Sequence, residues 1–149
     1  MNLLDNFFSK ALSRILGFKK NSYHPLVWIN GNPQIGNNVH IGGFSEVNAK
    51  SVKVVIGDNC DIASFVAINS ADSHKKCLEL EDEIIRKDII IENNVFIGTH
   101  SVILGGVYIG HHTVISAGSV VRNCKIPPFS LVINGEIKKG FYKKNLLNS

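Results

Sequence analysis

The chain has 149 residues, 44% of them apolar, and a formal net charge of +4. That is one domain's length, enough to bury a core without metal or disulfide staples, and no apolar run approaches the ~18 residues of a membrane span. Cys60, Cys77 and Cys124 are odd in number and lack zinc spacing, so they read as free thiols of a reducing cytosol. The basic clusters lack interleaved aromatics or any known motif, which argues against nucleic-acid binding.

The start, MNLLDNFFSK, carries an early Asp5 and no basic stretch ahead of its apolar residues, so no secretory leader is expected. Over residues 3–19, Leu4, Phe7, Phe8, Ala11, Leu12, Ile15 and Leu16 fall on one stripe at helical spacing, with Lys10 and Arg14 off it. This predicts an amphipathic helix packing on the rest of the chain or on a neighbouring subunit. The sharper reading is a basic helix lying on the inner face of a membrane that carries a lipid-linked glycan. Residues 1–25 form this helix and its linker.

From Ile29 a different period takes over. An aliphatic residue returns at every sixth place: Ile29, Ile35, Ile41, Val47, then Ile56, Ile62, Ile68, then Ile91, Ile97, Ile103, Ile109, Ile115, Val121. Gly or Ala often follows, and the fourth residue after each aliphatic is small or β-branched: Val39, Ser45, Ser51, Cys60, Val66, Val95, Ser101, Val107, Thr113, Ser119. Period six suits neither an α-helix nor a simple two-faced strand. It suits a triangular solenoid in which three repeats close one coil, stacking Ile91 on Ile109, Ile97 on Ile115 and Ile103 on Val121. The aliphatics fill the triangle, the small residues point inward near the corners, and glycine serves turns that need φ > 0. The expected solenoid covers residues 26–126.

Two interruptions break the period, one between Val47 and Ile56 and one between Ile68 and Ile91. Both leave the third repeat of a coil, so both emerge at one corner of the triangle. The longer, residues 69–87, contains His74. Long loops on rigid scaffolds are commonly functional. After Ile126-Pro127-Pro128 the pattern stops, and a basic tail, residues 127–149, follows.

The runs INSADSHKK (68–76), KDIIIENNVFIGTHSVILGGVYIG (87–110) and ISAGSVVRNCKIPP (115–128) resemble the hexapeptide-repeat acetyltransferases, in the branch that O-acetylates sugars and polysaccharides. The resemblance implies an all-β fold, a left-handed parallel β-helix. It also implies acetyl-CoA as co-substrate without a metal, a saccharide or glycan acceptor, a cytoplasmic homotrimer, and sites between subunits. It places the general base at His74, with Glu83 as the partner of its ring and Asp72 as the local competitor. Asn69 and Asp72 are read as acceptor contacts. Thr99 and Ala117 match positions along the pantetheine arm, and Arg122, Lys125 and Lys138 match the phosphate end. The chain departs from the pattern in one extra residue within SVVRNCKIPP, and in Gly42, Gly43 and Phe44 where an acceptor-binding Asn is usual, so a different acceptor is implied. Cys77, three residues from His74, offers a covalent alternative. N-acetylation of an amino-sugar nucleotide and a non-catalytic scaffold are the rival functions. A zinc enzyme on this fold needs converging histidines, which the spacing of His40, His100, His111 and His112 does not provide.

Overall fold

A computed structural model describes residues 3–17 and 22–143. The chain forms a left-handed parallel β-helix of about five turns, each coil a triangle of three short strands. The first face stacks Trp28–Gly31, Glu46–Ala49, Ala67–Asn69, Val102–Leu104 and Val120–Val121. The second stacks Gln34–Ile35, Val54–Ile56, Ile89–Ile91, Tyr108–Ile109 and Lys125–Ile126. The third stacks His40–Ile41, Asp61–Ile62, Phe96–Ile97, Val114–Ile115 and Leu131–Ile133, closed by the antiparallel strand Glu136–Lys138.

The register is the one the period predicts. Ile35 pairs with Ile56, Ile56 with Ile91 and Ile91 with Ile109; Ile41 with Ile62, Ile62 with Ile97 and Ile97 with Ile115. On the first face Ile29, Val47, Ile68, Ile103 and Val121 make the corresponding column. Nearly all are fully buried, and their β-branched side chains suit a pleated surface. Ser45, Ser101, Thr113, Ser119 and Ser130 are buried among them, each hydroxyl donating to a backbone carbonyl near a corner, so no polar group is left unpaired there.

Three details differ from the sequence reading. Ser51 is exposed in a turn at φ +63, because the first interruption displaces it, and Val54 takes the inward place. The solenoid continues past Ile126: the next coil is one residue short, so Ile109 pairs with Ile126 and Ile115 with Val132. The left-handed corners fall to Asn38, Asn59, Asn94, His112 and Phe129 in one column and to Phe44, Phe65 and His100 in another, rather than mainly to glycine. The repeat glycines answer crowding instead. A Cβ on Gly42 would stand 2.5 Å from the Ser64 nitrogen, and one on Gly98 2.4 Å from the Ala117 nitrogen, in the coil above.

The N-terminal helix α1 spans Leu3–Ile15. Phe7, Phe8, Ile15 and Leu16 are exposed, so the stripe is not packed on the solenoid at these described positions. No described helix is long and apolar enough to cross a membrane.

Ile97→Asp or Ile115→Asp sets a charge inside the sealed column, costing several kcal/mol against a net stability of ~5–15 kcal/mol. Either variant is expected to be insoluble or to lose its cooperative melt; a soluble variant melting like the parent would contradict the register.

Candidate functional site

The corner between the first and second faces is where the chain leaves the solenoid. After Ile68 it folds into a hairpin of Ala71–Asp72 against Ile85–Arg86, with a one-turn helix α2, His74–Cys77, between them. The foot of the hairpin is tied to the coils: the buried Ser70 hydroxyl donates to the Asn48 carbonyl at 2.7 Å, and the Ser70 carbonyl accepts the Lys87 N–H at 3.1 Å. Asn69 belongs to a ladder of stacked amides. Its Oδ1 accepts from the Asn48 side chain and the Ala71 N–H, and Asn48 in turn accepts from Asn30. Its side chain therefore braces the exit of the hairpin.

Asp72 and His74 form one unit. Asp72 Oδ1 accepts the His74 backbone N–H at 3.1 Å and lies 2.5 Å from the ring Nδ1. The hydrogen bond from the His74 ring holds the Asp72 carboxyl below the usual aspartate range, so it stays ionised and only accepts. In the neutral ring the proton then sits on Nδ1, and Nε2 keeps its lone pair. Both side chains are more than half exposed, so the contact orients the ring and adds little stability. Glu83, the expected partner, is exposed and has no hydrogen-bond or ion-pair partner among the described residues. Asp72, the local competitor, holds Nδ1.

A cleft runs between the hairpin and the corner, lined by Asp72, His74, Lys75, Lys87, Leu104, Gly105 and Arg122. Lys75 is paired with Glu81 at 2.5 Å, and Lys87 Nζ donates to Asn123 Oδ1 at 3.0 Å. Of the basic residues expected at a phosphate end, only Arg122 enters this cleft. Lys125 lies on the second face with its ammonium 4.7 Å over the Tyr108 ring, and Lys138 is exposed on the closing antiparallel strand. Asn123, the alternative to Lys125 at the extra residue of SVVRNCKIPP, enters the cleft bonded to Lys87, and their meeting depends on how the hairpin closes.

Thr99 and Ala117 occupy the corner between the third and first faces, exposed on successive coils. Thr99 Oγ1 donates to the Ser64 carbonyl at 2.7 Å and contacts His100 Nδ1 at 2.9 Å. Beyond Ala117 the corner is open, since a Cβ on Gly118 would meet nothing within 4 Å. Within one chain, then, His74 and Arg122 stand at one edge of the first face, and Thr99 and Ala117 at the other.

Elsewhere, the Glu92 carboxylate accepts the Tyr108 hydroxyl and the His111 N–H, which hold it below the usual range and push Tyr108 up. Burial raises the Cys60 and Cys124 thiols, which keeps them protonated. Cys77 is exposed on α2.

Comparison with known proteins agrees with the repeat. Residues 88–123 match the bacterial transferase hexapeptide (six repeats) family. Galactoside O-acetyltransferase of Escherichia coli (strain K12) is 42% identical over 100 residues, 62% of this chain and 48% of that protein. The chain spans about half or less of the length of the curated relatives it matches. Among solved structures, galactoside acetyltransferase in complex with coenzyme A superposes with a TM-score of 0.58 at 25% identity, covering 93% of this chain and 82% of that one. The polySia-specific acetyltransferase NeuO gives a TM-score of 0.55 at 28% identity, covering 76% and 61%.

At pH 8, nitrogen-15 spectra of the His74 ring are expected to show the Nδ1–H tautomer. Asp72→Asn, whose amide both donates and accepts, should mix in the Nε2–H form, whereas Glu83→Gln should leave the ring unchanged. The opposite ranking would return the pairing to Glu83.

Proposed function

We propose that this hexapeptide-repeat β-helix, a relative of the sugar acetyltransferases, moves an acetyl group from acetyl-CoA to a hydroxyl of a saccharide, glycan or sugar conjugate. The observation that carries the reading is the His74 ring, pinned through Nδ1 by Asp72, with Nε2 bonded to none of the described residues and the side chain lining a cleft. A sugar hydroxyl is a weak nucleophile at neutral pH. His74 Nε2 takes its proton as the oxygen attacks the thioester carbonyl, and Asp72 steadies the imidazolium. The C–S bond then breaks, the sulfur accepts the proton from Nε2, and an acetyl ester and free CoA thiol leave. A backbone N–H is the expected donor to the tetrahedral oxyanion. Cys77 has no part in this direct transfer.

The solenoid suits a long cosubstrate. The exposed backbone of Thr99 and Ala117, on adjacent coils, offers a path for the pantetheine arm along the corner, with phosphates meeting Arg122 or Lys138. His74 and Arg122 lie on the opposite edge of the first face from Thr99 and Ala117, so no single chain gathers them. A second copy must bring its third-to-first corner against the first copy's His74 cleft. That contact is heterologous, and repeating it closes a ring, of which three copies is the arrangement proposed here.

His74→Ala is expected to lower kcat by roughly 10²–10⁴ with acetyl-CoA affinity little changed, and His100→Ala to be milder. Thiol release with a saccharide panel measures both; an inactive His100→Ala beside an active His74→Ala would overturn the assignment. Light scattering is expected to give three chains per particle, and an active monomer would refute the shared site.

A further inference from the structure

At the N-terminal end of the corner that carries Thr99, a second recess opens, formed by Trp28, Phe44, Ser45 and Glu46. Its large side chains are placed by the coil register. Trp28 and Glu46 are paired neighbours on the outer side of the first face, and the next residue in that column is the small Ala67, which leaves room above the carboxylate. Phe44 projects from the corner at φ +60 and stacks on Phe65 of the next coil, ring centroids 5.2 Å apart and nearly parallel. Phe65 stacks on His100 at 5.0 Å, and His100 touches Thr99. Trp28, Phe44 and Phe65 are 44%, 53% and 50% exposed. A solvent-facing aromatic column therefore runs continuously from the Thr99 position to a recess with one carboxylate in its wall.

Exposed aromatic surface rimmed by a polar group marks a binding site more often than a stability device. Three stacked rings at strained left-handed corners contribute nothing to the sealed interior. Flat rings cover the C–H face of a pyranose, and a carboxylate beside them accepts hydrogen bonds from its hydroxyl or amino groups. The same carboxylate repels a second negative charge. A molecule lying just beyond the thioester end of an arm that passes Ala117 and Thr99 meets this column next.

We propose that Trp28, Phe44 and Glu46, extended by Phe65, form the acceptor subsite, and that it takes a pyranose ring bearing no negative charge at that position. This rests on the acetyl-transfer reading and names the substrate class for it. Trp28 and Phe44 hold the ring by its apolar face; Glu46 sets selectivity.

The probes are methyl galactoside, methyl glucoside, glucosamine and methyl glucuronide, followed by thiol release from acetyl-CoA and by saturation-transfer NMR on the full chain. Trp28→Ala and Phe44→Ala are expected to raise the acceptor KM about tenfold or weaken saturation transfer equally, with the acetyl-CoA KM within about twofold of the parent. Trp28→Tyr should retain most binding, and Glu46→Gln should relax the discrimination against glucuronide. If the alanine variants leave acceptor KM and saturation transfer unchanged while His74→Ala abolishes turnover, the subsite is wrong and the transferase reading stands. If saccharides bind the parent at these residues but no thiol is released, the subsite stands and the transferase reading falls. Loss of the oligomer by light scattering in Trp28→Ala, with acceptor binding intact, would make this face a subunit contact and overturn the proposal.

Discussion

Everything in this molecule depends on a column of Ile and Val that has no partner within its own coil. One coil of three short strands buries nothing by itself; it closes only when the aliphatics of the coil above and below settle on it. The interior is too narrow to admit water or a charge, so it accepts β-branched side chains and hydroxyls that can reach a corner carbonyl. Each coil's position is then dictated by its neighbours, which makes the faces rigid and leaves variation to the corners and the outer surface.

That division explains where the chemistry-bearing groups sit. The interruption after Ile68 costs the column nothing, because Ile68 pairs with Ile103 and Ile56 with Ile91 as though the intervening residues were absent. A hairpin of that length can change freely at its tip while its foot is clamped by Ser70 and Lys87. Asp72 belongs to the hairpin strand next to that foot and bonds the His74 ring, so the ring's orientation is set from the clamped end. The same logic places Phe44, Phe65 and His100 at corners. Their backbones are forced into the left-handed region by the turn, which swings each ring outward onto the next.

The geometry also bears on assembly. A prism has three edges, and the groups brought forward as base and as cosubstrate path occupy two of them, separated by the width of the first face. An arrangement of copies that joins unlike edges is the simplest way to make one pocket from two.

The sequence by itself determined the column, because stacking demands a strict period and every departure from it is visible as a skipped residue. It also made His74, the histidine of the long excursion, the candidate base, and the resemblance of its motifs made Thr99 and Ala117 candidates for the cosubstrate path. It did not determine what each excursion or short coil does in space. Ser51 keeps the repeat count yet lies outside, Val132 continues the column after a coil one residue short, and Asp72 rather than Glu83 meets the ring. The antiparallel pairing of Ala71–Asp72 with Ile85–Arg86 decides that last contact, as it decides that Lys87 reaches Asn123 and that Arg122 alone among the expected basic residues enters the His74 cleft. Periodic burial is a one-dimensional constraint and can be read along the chain. The approach of exposed groups across a loop is set by hairpin closure against a distant coil, and only the tertiary structure fixes it.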